Sequence, residues 1–147
     1  MSERELSTAV PPQGAYVPAV VHGGLVWTAG MTPRRHGELV VRGVVGRDLD
    51  LAAAREAAAL ATDNTLTAIA ETLGGLDGVE RCLKLTVFIA AAEGFTDHAA
   101  VADAASAALR RRLGDRGVVA RSAIGVATLP SGAPVEVELL AAVRAGG

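Results

Sequence analysis

The sequence predicts an α+β fold: one mixed sheet of five or six strands with two helices packed on one of its faces. Three observations lead there. First, the segments read in the order β-β-(β)-α-β-α-β-β, and two helices cover only one face of such a sheet. Second, 147 residues suit one domain, and with half of them hydrophobic and only 3% aromatic the core must be built from Ala, Val, Leu and Ile. Third, the strand over 84–91 is apolar on both faces. Its second face must also leave water, which one small domain cannot arrange alone, so subunits are expected to cover each other's sheets.

Each element has its own reason. Residues 1–13 are polar and contain Pro11-Pro12, and read as an arm before a single domain over 14–147. Val17 to Val21 and Leu25 to Thr28 are β-rich runs joined by Gly23-Gly24, a hairpin signal, because a tight turn demands the positive φ angles glycine supplies. Gly30 and Pro33 break the chain, and Leu39 to Val45 is a weak third strand interrupted by Gly43. The first helix spans Asp48 to Leu73. Asp48 or Asp50 is its N-cap, Leu66, Ile69, Ala70 and Leu73 form an apolar face, and Gly74-Gly75 forms the stop. Lys84 to Ala91 is a strong strand. Thr96 or Asp97 caps a second helix running to Leu113, where Arg110, Arg111 and Arg112 suit the negative end of the helix dipole. Val118 to Leu129, stopped by Pro130, and Val135 to Val143 complete the sheet.

Composition excludes several functions. The net charge is −2, so no general field attracts nucleic acid or acidic membranes; the arginines at 110–112, with Arg116, are the only basic cluster. A lone cysteine, Cys82, rules out an internal disulfide and a Cys-based zinc site, and its apolar setting predicts inert burial. His22, His36 and His98 are scattered, so no metal is expected. No apolar run approaches the ~20 residues of a membrane span. The polar N-terminus is unlike a signal peptide, and a cytoplasmic location is expected.

Arg121 is the most unusual residue, lying mid-strand among small and apolar neighbours. An arginine there either awaits a ligand carboxylate, which it grips with two parallel hydrogen bonds, or pairs internally with Glu136 or Glu138, or faces water at an edge. Glu136 and Glu138 alternate with Val135, Val137 and Leu139. They form either a solvated strand face or a carboxylate that orients or deprotonates a water. Tyr16, the only tyrosine, is either a packing residue with a wet tip or the hydroxyl-bearing wall of a pocket.

On these residues the chain resembles the reactive intermediate/imine deaminase (RidA, YjgF-like) family, also known as L-PSP endoribonucleases. The matching pieces run from Gly14 to Val143: Gly14-Ala-Tyr-Val-Pro-Ala-Val, Gly24-Leu-Val-Trp-Thr-Ala-Gly, Asn64, Leu83-Lys-Leu-Thr-Val-Phe-Ile, Ala120-Arg-Ser-Ala-Ile-Gly-Val-Ala-Thr-Leu-Pro and Val135-Glu-Val-Glu. The resemblance implies a chorismate-mutase-like fold and a homotrimer. It also implies a small-carboxylate pocket at each subunit interface, no cofactor, and hydrolysis of enamines and imines to 2-oxo acids and ammonia. Arg121 then matches the carboxylate-binding arginine, Glu136 the glutamate that positions water, and Tyr16 the pocket aromatic, while Asp103 falls near a family asparagine.

The chain also departs from the family pattern. Ala29-Gly30-Met31 stands where the family usually has Ser-Gly-Gln, and Ala123 where some members carry cysteine. A pocket lined by Ala29 and Ala123 should be more apolar, suited to a larger acid or to binding without turnover. RNA cleavage, suggested by the family's older name, is opposed by balanced charge and scarce aromatics.

Overall fold

The structure is a computed structural model that describes residue 6 and residues 11–146. Most of the arm expected over 1–13 therefore lies outside the described residues. The elements are β1 (Ala19–His22), β2 (Leu25–Thr28), β3 (Arg34–Arg35), β4 (Glu38–Leu39), α1 (Leu51–Leu73), β5 (Val79–Ala90), α2 (His98–Leu113), β6 (Ala120–Val126) and β7 (Val135–Val143). Five strands form one mixed sheet in the order β1-β2-β7-β5-β6, in which only β5 and β6 run parallel. Both helices lie on one face.

The hairpin forms as its glycines require: Gly23 and Gly24 take φ +61° and +77°, so β1 and β2 pair from His22↔Leu25 onward. Asp50 caps α1, accepting from the Ala53 N–H at 2.8 Å, and Gly74 ends the helix in the left-handed conformation. Asp97 holds the corresponding position of α2 but makes no side-chain cap bond.

Strand β1 and helix α1 start later than expected, at Ala19 and Leu51, and three further segments differ. The strand expected over 39–45 does not form. Arg34–Leu39 folds into a small hairpin turned by His36 and Gly37, and the chain then loops until Val45 bridges to Ala91. Strand β6 is shorter than expected because β5, its one partner, ends at Ala90, opposite Val126. Strand β5 begins earlier, at Val79, because β7 continues far enough to pair with it there.

The core lies between the sheet and the helices, with Leu66, Ile69, Leu85, Val87, Ile89, Leu109, Val135 and Val137 fully buried. Each such aliphatic side chain contributes about 1.5–3 kcal/mol. The middle of α1 is buried on all sides, so its threonines return hydroxyls to its own carbonyls: Thr62 to Ala58, Thr65 to Ala61, Thr67 to Asp63. Cys82 is buried, and burial pushes its thiol up to about 11. The opposite face of the sheet carries Val20 and Trp27, both exposed, with Leu140, Phe88 and Ile124 beyond them across the strands. The apolar second face expected from the sequence is therefore present.

Candidate active site

Strand β2 ends at Thr28, and the chain then bulges through Ala29 and Gly30 before Met31 pairs with Val137 of β7, N–H to carbonyl, at 2.8 Å in both directions. The bulge opens a cavity of about 340 Å³ beside the start of β7. Ala29, Gly30 and Glu136 line it together with Tyr16, Gln13, Pro130 and Ser131. Thr32 and Arg34 close it.

Glu136 approaches because residue 30 has no side chain. A β-carbon on Gly30 would lie 2.5 Å from Glu136 Oε2 and 2.9 Å from its Cγ. Burial, reinforced by the neighbouring charge of Glu138, raises the Glu136 carboxyl above the ordinary carboxylate range. Glu138 itself is exposed. The Tyr16 hydroxyl accepts from the Gln13 N–H at 3.0 Å, fixing the ring over the cavity. Ser131 adopts φ +61°, an unusual conformation for a residue with a side chain, held by the short turn that leads into β7.

Sequence reasoning missed Arg34. It is only 7% exposed, yet no carboxylate among the described residues lies within ion-pair distance of it. Its Nε donates to Thr32 Oγ1 at 3.1 Å and its Nη1 to the Gly37 carbonyl at 2.7 Å. The loop that carries it is tied down from α1, where Asn64 Nδ2 donates to the carbonyls of Thr32 and Arg34, each at 3.0 Å. The one local cue is the tight-turn pair His36-Gly37 just after Arg34 and Arg35, which marks a turn and not the burial of Arg34.

The remaining candidates lie elsewhere. Arg121 pairs with Leu85 in register and so faces the helices, whereas Glu136 pairs with Phe88 and faces the other way. Neither of the internal partners considered for Arg121 is its partner: Nη1 donates to Asp103 Oδ1 at 2.8 Å and to Ser106 Oγ at 3.0 Å, both on α2. The pair sits at the sheet edge, with the Asp103 side chain 63% exposed. Ala123, two residues on, packs against the core. Tyr16, Ala29 and Glu136 thus gather in one cavity, and Arg121, Asp103 and Ala123 form a second group near α2. Met31 turns into the core, and polar lining comes from Thr32, Arg34 and Ser131.

Half of the basic cluster is spent on structure, while Arg110 and Arg111 are exposed. Arg112 turns inward to Asp63 at 3.7 Å, and Arg116 donates to the carbonyls of Leu76 and Val79. No group of three or more metal-ligating side chains occurs among the described residues, and none of their helices is long and apolar enough to cross a membrane.

A sequence profile of the Endoribonuclease L-PSP family matches residues 6–143. The chain belongs to this family, the YjgF/RidA family. Protein TCP17 of Trypanosoma cruzi is 34% identical over 137 residues, covering 92% of this chain and 86% of that protein. Among solved structures, Atu1372 of Agrobacterium tumefaciens, described as of unknown function, superposes with a TM-score of 0.85 at 36% identity, over 87% of this chain and 82% of its own. TdcF of E. coli, solved with bound serine, superposes with a TM-score of 0.65 at 26% identity, over 97% of each chain. The YjgF/RidA architecture expected from the resemblance is therefore the one observed.

Proposed function

We propose that this YjgF/RidA-family chain is a cofactor-independent imine deaminase that hydrolyses 2-imino and enamine acids to 2-oxo acids and ammonia. The observation that carries the reading is Glu136: a half-buried carboxylate with a raised pKa, on the wall of a cavity large enough for a small acid. Such a group suits a general base working near neutral pH. It takes a proton from a bound water as the water oxygen attacks the C=N carbon. It returns that proton to the nitrogen to give a carbinolamine; the carbinolamine hydroxyl proton then passes to the amino nitrogen as the C–N bond breaks, so that ammonia leaves and the carbonyl of the 2-oxo acid forms. Tyr16 and Ala29 shape the cavity around the substrate.

Arg121 is the second member of the proposal. It lies off the cavity within one chain, so it contacts the substrate's carboxylate only where the β6 edge of one protomer meets the cavity of the next, with Asp103 and Ala123 beside it. A homotrimer supplies that arrangement, and the exposed apolar face containing Val20, Trp27 and Ile124 supports burial between subunits. The protein is read as cytoplasmic. The serine held by TdcF, a small amino acid with a carboxylate, is in keeping with this ligand class.

The test couples a serine or threonine dehydratase to the protein and follows 2-oxo acid release. Acceleration over buffer at micromolar protein, lost in Glu136→Gln, is the expected result; no acceleration with either dehydratase overturns the reading. Endoribonuclease activity has no comparable support, since two of the four arginines of the basic cluster are turned to Asp63 or to backbone carbonyls and the chain's net charge is −2.

A further inference from the structure

The cavity contains a cation that no expectation placed there. Arg34 is more than nine-tenths buried and lines the same space as Glu136, yet the two form no ion pair. Burying a charge without a counterion costs several kcal/mol. Its two protein contacts, to Thr32 Oγ1 and the Gly37 carbonyl, are both neutral acceptors. They use two of the five donors a guanidinium presents. The Glu136 carboxylate lining the same cavity is equally unsatisfied: burial and Glu138 raise its pKa, and no cation among the described residues lies within ion-pair distance of it. Two charges of opposite sign that line one cavity without pairing define a ligand with an anion at one end and a site for water attack at the other.

We infer that Arg34 is a carboxylate-binding residue of this cavity, contributed by the same protomer as Glu136, and that Asn64 is the positioning residue that holds its loop in place. The acid's carboxylate docks on the Arg34 guanidinium, and its reacting carbon then lies toward Glu136. This inference rests on the cavity being the ligand site proposed above, and it adds an anchor that needs no neighbouring subunit. Arg121, held by Asp103 and Ser106 within its own chain, remains the contact that a neighbouring protomer brings to the same carboxylate.

The experiment compares 2-oxobutanoate with its neutral counterpart 2-oxobutanamide by titration calorimetry, without turnover. The full chain is expected to bind the acid roughly tenfold or more tightly than the amide, the scale of a charge-assisted bond. Arg34→Met is expected to bring the two affinities within about twofold while leaving amide binding in place, and Arg34→Lys to fall between. A merely structural role for Arg34 would weaken both ligands together and leave the preference standing. Should Arg34→Met fail to fold, Arg34→Lys and a crystal structure with 2-oxobutanoate replace it, with the carboxylate expected on the Arg34 guanidinium. A preference that survives in folded Arg34 variants, one that only Arg121→Met removes, a carboxylate placed away from Arg34, or the absence of any binding overturns the inference. Intact preference without imine hydrolysis removes only the deaminase reading; imine hydrolysis without preference removes only the Arg34 anchor.

Discussion

Two arginines of this chain occupy opposite electrostatic situations. Arg121, at the sheet edge, has a carboxylate 2.8 Å away and a serine hydroxyl beside it. Arg34, inside the cavity, has only a hydroxyl and a carbonyl. The Asp103 partner is largely exposed, so water screens that pair and it contributes little stability. Arg34 is shielded from water and has no carboxylate partner among the described residues, which makes it the stronger attractor for an incoming anion. An arginine that looks anomalous in a sequence is therefore not always the one the fold leaves unsatisfied.

The comparison can be broken at the cavity first. Glu136→Gln keeps the side chain's shape but cannot take a proton, and imine hydrolysis is expected to fall by about 10²–10⁴-fold in the coupled assay. Equal activity would move the chemistry away from the cavity.

Gly30→Ala comes next. Its new methyl group must displace the Glu136 side chain, and a shift of about 1 Å in a reacting group costs on the order of 10²-fold in rate. Binding of 2-oxobutanoate should change far less, because the Arg34 guanidinium is held by Thr32 and Gly37.

Asn64→Leu tests the support of Arg34. It leaves the buried carbonyls of Thr32 and Arg34 without their donor, at a cost of about 1–3 kcal/mol in chemical denaturation. It should also erode the acid-over-amide preference, whereas Asp103→Asn, which weakens the Arg121 pair, should leave it intact.

The smallest effect expected is on pH. The ascending limb of the rate profile should lie above the ordinary carboxylate range, because burial and Glu138 raise the Glu136 carboxyl. Glu138→Gln removes one of those causes and should move the limb to lower pH. The same shift has a signature in stability. Between the unfolded and folded pKa values the folded chain holds a proton that the unfolded chain has released. This contribution is complete below the unfolded carboxylate range and is lost as pH rises through the folded value. Glu136→Gln should therefore be no less stable than the parent chain at neutral pH, even as it loses activity.

Much of the architecture was legible in the residues. Gly23-Gly24 specified a hairpin, Asp50 and Gly74 bounded a helix, and the alternation from Val135 to Val143 placed a strand with both its ends. Strand ends set by a partner were not legible: β6 stops at Val126 because β5 stops, and nothing in the sequence of β6 itself says so. The site divided along the same line. Tyr16, Ala29 and Glu136 line one cavity, because β2 and β7 are neighbours. Arg121 and Glu136 do not, because positions two strands apart point to a shared face only if their register matches, and here it does not. Arg34 was hidden for a different reason. Burial of a residue in a basic turn depends on a distant asparagine in α1, a long-range contact that no local pattern announces.

The most direct measurement is a crystal structure of the protein with 2-oxobutanoate bound. The predicted result is an acid inside the 340 Å³ cavity, its carboxylate on the Arg34 guanidinium and its carbonyl carbon facing Glu136 across one water. An acid bound only at the Arg121–Asp103 edge, with the cavity holding nothing but solvent, would contradict the account.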